Sequence, residues 1–173
     1  MTSHSFVDES KHGLYLLVAV LIQPAMLART RRELGAMVLP GQRRIHFYKE
    51  RDDRRSMIAN RLADLPAEAV IYQVSRSDRE ARDRCLTALI RDHLERNVQR
   101  LVLERDDSRV DSDRRLMRQA IRLASAEDRF AYSHLRAHEE PLLSFPDAIA
   151  WCWTHGGHWR AKVKGMVTEV FHA

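Results

Sequence analysis

Hydrophobic and polar positions are distributed along the chain in a pattern that predicts a mixed α/β structure. A β-hairpin is predicted over residues 5–22, because the turn-forming Lys11-His12-Gly13 separates a short strand from the apolar run 14–22. Proline donates no hydrogen bond to a sheet, so Gln23-Pro24 is expected to end the second strand. Later strands are predicted at residues 69–74, 98–103 and 130–135, and a short strand or extended segment at 44–48.

Apolar residues at helical spacing predict helices between these strands. The helices cover residues 25–37, about 53–65, 81–94, 112–124 and 141–153, the last with a break near Pro146. Their predicted caps are Asp52 or Asp53, the capping-box pair Ser77 and Glu80, and Asp111 or Ser112. Residues 159–171 have a mixed pattern that assigns no element.

The predicted order is β-β-α-β-α-β-α-β-α-β-α, in a single domain over residues 1–173. Strands separated by a helix are expected to run parallel, so the sheet should combine the antiparallel N-terminal hairpin with parallel strands and should be flanked by helices.

Composition excludes several classes of protein. The apolar run 14–22 is too short for a transmembrane helix, which needs roughly 20 residues, and acidic Asp8 and Glu9 precede it, unlike the basic start of a signal peptide. Cys85 and Cys152 lack metal-site or redox spacing, which indicates reduced thiols and a cytoplasmic protein.

The charge balance favours a nucleic-acid partner to a modest degree. The net charge is +5, and 25 of the 29 basic residues are arginine. Arginine binds phosphate in a bidentate manner, which suits nucleic-acid recognition. A GC-rich genome produces the same arginine excess, so composition alone decides nothing.

Asp8 is the residue that points most directly to chemistry. A carboxylate on an apolar strand is costly to bury without a partner, and a metal ion would be such a partner. Side chains alternate along a strand, so Asp8 shares a face with Phe6 and Ser10, while Glu9 points to the opposite face. Glu104 ends a predicted strand, and its carboxylate would lie roughly 5 Å from Asp8 if the two strands are neighbours.

Asp147, in a late helix, could complete a group of three carboxylates. Such a group offers the oxygen ligands that Mg²⁺ and Mn²⁺ prefer, and two such ions can promote phosphodiester hydrolysis. Other interpretations stay open, because Glu104 also suits a solvated strand end and Asp147 also suits the first turn of a helix.

Three segments resemble a known family. Phe6-Val7-Asp8-Glu9-Ser10, Arg44-Ile45-His46-Phe47 and Leu143-Ser144-Phe145-Pro146-Asp147-Ala148-Ile149-Ala150 resemble, in order and spacing, elements of the DUF3800 proteins. The resemblance implies a ribonuclease H-like fold in which Asp8, an acidic residue on the fourth strand and Asp147 bind metal. The chain departs from the family at Lys11, where glycine is usual, and at Pro146, where alanine is usual.

Further residues are candidates for supporting roles. The acidic residue implied on the fourth strand is Glu104, Asp106 or Asp107, and Glu9 and Asp106 are candidate supplementary ligands. His46 follows Arg43-Arg44 and is a candidate for proton transfer or phosphate contact, although a structural role is also consistent with its position. Arg43, Arg44, Arg105 and Arg109 are candidate phosphate contacts.

Two other groups of residues carry less weight. The histidine spacings at 134 and 138 and at 155 and 158 lack cysteine partners, so a zinc site is not expected. Trp151, Trp153 and Trp159 favour packing over base stacking, which stays open as an alternative.

The sequence therefore predicts a ribonuclease H-like nuclease that uses Mg²⁺ or Mn²⁺, with Asp8, Glu104, Asp147 and His46 as catalytic residues. The alternative is a catalytically inactive module of the same fold that binds nucleic acid or a protein partner. Exposed sheet edges would permit a homodimer.

Overall fold

A computed structural model describes residues 2–75 and 78–173. Its centre is a six-stranded mixed sheet in the order β5-β4-β1-β2-β3-β6. The strands are β1 (Ser3–Ser10), β2 (Tyr15–Ile22), β3 (Glu68–Val74), β4 (Val98–Glu104), β5 (Ala131–Leu135) and β6 (Val167–His172).

The strand pairing confirms the predicted hairpin and the predicted mixture of strand directions. β1 pairs antiparallel with β2, and β2 pairs antiparallel with β3. β4 runs parallel to both β1 and β5, and β6 runs parallel to β3. The parallel pair β1–β4 lies in the interior of the sheet, where it brings together two segments about ninety residues apart in sequence.

Helices cover both faces of the sheet. They are α1 (Leu27–Ala36), α2 (Asp52–Ala63), α3 (Ala81–Glu95), α4 (Val110–Leu123), α5 (Ser144–His155) and α6 (Gly157–Val163). We call the two sides the α5 face and the α3 face, after the helices that pack against them.

Each face has its own apolar core. Phe6 and Val102 lie in the core of the α5 face, whereas Val7 and Leu103, the next residues on the same strands, lie in that of the α3 face. This alternation follows from the two-residue period of a β-strand. It also fixes the face to which each later residue of β1 and β4 points.

The segment 44–48 is not a strand, which corrects one alternative of the prediction. Ile45 and Phe47 are fully buried in the core of the α5 face, and Phe47–Lys49 forms a 3-10 turn. Phe47 contacts the ring of Trp151 edge-on, with 5.4 Å between ring centroids. Ile45 and Phe47 therefore hold this loop against the core without strand pairing, because burial of an apolar side chain does not require the backbone hydrogen bonds of a sheet.

The predicted helix caps were wrong where the structure tests them. Arg51, Glu80 and Arg109 occupy the N-cap positions of α2, α3 and α4. Ser77 lies outside the described residues. The acidic residues at positions 52, 53 and 111 lie in the first turns instead, where a carboxylate interacts favourably with the helix dipole.

The C-terminal part contains more structure than the pattern predicts. A 3-10 turn at Pro141–Leu143 leads into α5, which continues through Pro146 without the predicted break. Proline is tolerated in a first helical turn, because its missing N–H has no intrahelical partner there. The unassigned tail forms α6 and the edge strand β6, and no residue of β6 is fully buried, which explains the weak pattern there. Within the described ranges, no helix is long and apolar enough to cross a membrane.

Candidate active site

Three carboxylates meet at one end of the central strands on the α5 face. Val7 of β1 pairs with Leu103 of β4, and the next residues on the two strands are Asp8 and Glu104. Both follow the pleat onto the α5 face, as the alternation in β1 predicts. Asp147 lies in the first turn of α5, which packs on this face. We call Asp8, Glu104 and Asp147 the carboxylate cluster.

Asp8 has the most perturbed ionisation in the cluster. Burial raises its pKa well above the ordinary value, and repulsion from Glu104 and Asp147 raises the pKa further. A hydrogen-bond interaction with the Glu104 side chain also raises the pKa of Asp8, because it favours the neutral carboxyl group. The backbone N–H of Glu9 donates to Asp8 Oδ1 over 2.7 Å, which offsets only part of this shift.

Asp147 joins the cluster to the loop that precedes α2. Its Oδ2 accepts a hydrogen bond from the backbone N–H of Phe47 over 3.3 Å. Burial raises the pKa of Asp147 to about 6, against the lowering effect of this hydrogen bond, and Glu104 adds to the increase. The same loop therefore supports a carboxylate of the cluster and places His46 and Arg44 beside it.

Arg44 and His46 are the basic groups of this loop. Arg44 Nη1 lies 3.4 Å from Glu104 Oε1, in an ion pair in which both side chains are roughly one quarter exposed. Burial lowers the pKa of His46, and the positive charges of Arg44 and Lys49 lower it further, although Glu104 acts in the opposite direction. His46 is therefore a neutral base at pH 7, within electrostatic range of the cluster.

The donor types of the cluster fit a hard divalent cation, but the side chains are not arranged to bind one. Among residues 2–75 and 78–173, no three Asp, Glu, His or Cys side chains are positioned to hold a metal ion together. The hydrogen bond between Asp8 and Glu104 joins oxygens that a metal would require as ligands. Mg²⁺ and Mn²⁺ bind carboxylate oxygens. The cluster therefore suits such an ion in the type of its ligand atoms and in its unneutralised negative charge, but not in the arrangement of its side chains.

Glu9 and Asp106 are not brought into the cluster. Glu9 lies on the α3 face, where its Oε2 accepts hydrogen bonds from Arg82 and from the hydroxyl of Tyr15, both over 2.5 Å. Asp106 Oδ1 accepts hydrogen bonds from the N–H and hydroxyl of Ser108 in the turn before α4. Both residues line a cavity of about 160 Å³ that also contains Asp8 and Glu104.

The candidate phosphate contacts are dispersed. Among them Arg44 contacts the cluster, whereas Arg43 is exposed on the same loop. Arg105 is exposed and forms an ion pair with Asp107 over 2.6 Å, and Arg109 occupies the N-cap position of α4. Arg105 and Arg109 therefore belong to the loop after β4 and not to the carboxylate cluster.

A groove beside Asp147 contains two residues that sequence reasoning did not single out, Tyr48 and Arg55. The groove has a volume of about 660 Å³ and is also lined by Asp147, Trp151 and His155. Sequence reasoning considered those three for separate roles, whereas their four-residue spacing indicates that they share one side of a helix.

Comparison with known proteins supports the fold. No family model matches the chain, and no curated protein matches it. A chain in the solved structure of the PCNA:RNase HII complex from Archaeoglobus fulgidus is similar to this chain, with a TM-score of 0.59. The match covers 95% of this chain and 77% of that chain, at 16% sequence identity. The chain has a ribonuclease H-like fold. This confirms the fold that the sequence predicts, whereas the resemblance to DUF3800 proteins stays a prediction.

Proposed function

We propose that this protein is a divalent-metal-dependent nuclease that hydrolyses phosphodiester bonds in nucleic acid. The observation that carries the proposal is the convergence of Asp8, Glu104 and Asp147, from two adjacent parallel strands and a packed helix, on one face of the sheet. Their charges repel one another, and Arg44 is the cation paired with them. Such an uncompensated group is typical of a site that binds a cation with its substrate.

The carboxylate cluster would hold Mg²⁺ or Mn²⁺ through its oxygens. The ion would activate water and stabilise the leaving oxygen of the phosphodiester. Glu9 and Asp106 are left out of this ligand set, because both are committed to other hydrogen bonds. Asp8 would have to lose its proton to serve as a ligand, because a metal ion is bound by the ionised carboxylate.

The loop residues supply the remaining chemistry. His46 is neutral at pH 7 and can accept a proton beside the cluster, which suits general base or acid catalysis. Arg44 can exchange its contact with Glu104 for a phosphate oxygen, because the pair is partly exposed and weak. Arg43, Arg105 and Arg109 remain candidate contacts for more distant phosphates.

Charge and fold both support a nucleic acid as the substrate class. The chain carries a net charge of +5, which favours a polyanion despite the local group of acidic residues. The similar solved structure is described as a complex of PCNA with RNase HII, and a nucleic-acid substrate for this chain is part of the proposal.

A catalytically inactive module is the second candidate. The hydrogen bond between Asp8 and Glu104, and the lack of a ligating arrangement in the described ranges, favour it. Such a module would use the same surface to bind nucleic acid or a protein without hydrolysis.

Cleavage assays separate the two candidates. Single-stranded, double-stranded and hybrid oligonucleotides are incubated with Mg²⁺, Mn²⁺ or EDTA. We expect cleavage with a metal, no cleavage in EDTA, and loss of cleavage in the double variant Asp8→Asn with Asp147→Asn. Asp128→Asn, at an exposed position, is the matched control. Metal-dependent cleavage that survives the double substitution would contradict the proposal.

A further inference from the structure

The groove beside Asp147 adjoins the carboxylate cluster, because Asp147 is one of its lining residues. One side is the end of the hairpin, with Ser10, Lys11 and His12, and the other side is α5, with Asp147 and Trp151. Asp147 belongs to both the cluster and the groove. A strand with a phosphate at the cluster would therefore reach the groove with its neighbouring nucleotides.

Three residues of α5 that line the groove recur at an interval that suits a nucleic-acid strand. Asp147, Trp151 and His155 are each separated by four residues and lie on one side of the helix. At 1.5 Å per residue, this stripe is about 12 Å long. That length corresponds to about three to four stacked nucleotides at 3.4 Å each.

Rings in the groove are already stacked on one another. The His155 ring lies on the ring of Trp151, with centroids 3.6 Å apart and planes inclined by 16°. Trp151 also contacts the guanidinium group of Arg55, 4.5 Å from its ring centroid. A 2.8 Å contact between His155 Nδ1 and the Trp151 carbonyl oxygen fixes the imidazole in place.

Three of the rings that line the groove are exposed. His155 and His12 are both exposed and nearly parallel, at 11°, with centroids 5.9 Å apart. Tyr48, on the loop that carries His46, has 58% of its surface exposed. The core explains Trp151, whose ring contacts buried Phe47, but it does not explain three exposed rings around one groove.

We propose that this groove binds an unpaired segment of a nucleic-acid strand, whose bases stack on Tyr48 and on the outer face of the stack formed by His12, His155 and Trp151, while an adjacent phosphate lies at the carboxylate cluster. This rests on the proposed function for the role of the cluster, but not for binding itself. Stacking accepts every base, because each has an aromatic face, so the groove selects single-stranded structure and not sequence. Base faces in an intact duplex are covered by their neighbours, and a blunt duplex is therefore a poor ligand.

The test measures binding without catalysis. Fluorescently labelled single-stranded DNA and RNA oligonucleotides, and blunt duplexes of the same length, are titrated with the full chain in EDTA. We expect tighter binding of the single strands. The double variant Tyr48→Ala with His155→Ala should bind single strands at least about fivefold more weakly, with unchanged binding of the duplex. The DNA and RNA arms identify which strand the groove prefers.

Two further variants test whether the loss of binding is specific to the aromatic rings of the groove. His155→Phe retains a ring and should bind within about twofold of the unchanged chain, whereas His138→Ala removes an exposed histidine outside the groove and should have no effect. Equal affinity of the double variant for single strands, or equal affinity of the unchanged chain for duplex, would overturn the proposal. Loss of stacking-dependent binding and absence of cleavage are separate results, so the groove and the nuclease activity can fail independently.

Discussion

Charged side chains occupy the same end of the sheet on both faces, but they are balanced differently. On the α3 face, Arg82 donates two hydrogen bonds to Asp113, over 2.9 and 2.7 Å, and a third to Glu9 over 2.5 Å. Its side chain is only 6% exposed. On the α5 face, Arg44 lies beside the three carboxylates, is partly exposed and, among the described residues, forms its ion pair with Glu104.

The pKa values reflect this contrast. Burial alone would raise the pKa of Asp113, but Arg82 and His134 hold it below the ordinary value. The carboxylates Asp8 and Asp147 on the opposite face have raised pKa values, because burial acts on them without sufficient positive charge. A buried carboxylate that the fold neutralises is structural, whereas one that the fold leaves unbalanced is a candidate for function.

The largest expected effect is on stability at the α3 face. Arg82→Met removes the shared partner of Glu9 and Asp113 and leaves buried negative charge, which should lower the free energy of unfolding by about 3–5 kcal/mol. Urea denaturation measures this change. Arg84→Met, in an exposed ion pair with Asp78, is the matched control and should change stability by less than about 1 kcal/mol. Equal losses in the two variants would show that the α3 face network is not structural.

The next effect is on activity at the α5 face. Asp8→Asn should reduce metal-dependent cleavage about 100-fold or more, because a ligand that helps to stabilise transition-state charge is worth several kcal/mol. The same substitution should leave stability at pH 7 unchanged or increased, because the neutral amide removes an ionisable group whose charged form burial and the neighbouring carboxylates oppose. Asp113→Asn is the counterpart on the opposite face and should lower stability. Destabilisation by Asp8→Asn comparable to that by Asp113→Asn would remove the distinction between the faces.

The sequence predicts the α5 face site better than the α3 face network. The alternation in β1 assigns Asp8 and Glu9 to opposite faces, and family resemblance connects Asp8 with Asp147. The pairing of Glu9 with Arg82 joins β1 to α3 across 73 residues, and no local pattern indicates it. Long-range side-chain contacts depend on how helices pack, which periodicity does not specify.

The loop before α2 shows a different limit of sequence reasoning. Its Arg44-Ile45-His46-Phe47 segment has the alternation of a strand, yet Ile45 and Phe47 enter the core from a loop. The pattern correctly indicates which side chains are buried but not the backbone hydrogen bonding. The tail was unassigned for the opposite reason, because most positions of β6 are not buried.

The pH dependence of stability should distinguish the faces further. The folded-state pKa of Asp147 is raised to about 6 from 3.8, so the unfolded state ionises first as pH rises. Stability should therefore fall between about pH 4 and pH 6, by up to about 3 kcal/mol, and Asp147→Asn should reduce this loss. Thermal unfolding against pH measures it.

Added Mn²⁺ provides the control for this loss. Because the ion binds ionised carboxylates, it should raise the unfolding temperature more at pH 8 than at pH 5. A metal effect that is the same at both values, or that persists in Asp8→Asn with Asp147→Asn, would contradict binding at the cluster.

The α3 face should lose stability as pH falls, whereas the α5 face should lose it as pH rises. His93 is fully buried, 2.7 Å from the hydroxyl of Ser5, and burial lowers its pKa, although Asp92 acts against this. The unfolded state therefore binds a proton first as pH falls below about 6.5, and stability falls by at most about 1.4 kcal/mol per pH unit. His93→Gln should flatten this acid limb in urea titrations, whereas His138→Gln, at an exposed position, should not. If His93→Gln loses stability at low pH as the unchanged chain does, that loss belongs to other groups.

The smallest expected effect concerns Arg44, the cation beside the carboxylate cluster. Its ion pair with Glu104 is partly exposed, so Arg44→Gln should change the free energy of unfolding by less than about 1 kcal/mol. If Arg44 exchanges Glu104 for a phosphate, the substitution should weaken nucleic-acid binding and reduce the slope of log affinity against log salt by about one. Arg43→Gln, at the exposed neighbouring position, controls for loss of general positive charge. An equal decrease of the salt slope in both variants would indicate general attraction to the loop, and the carboxylate cluster would then need another group to bring a phosphate to it.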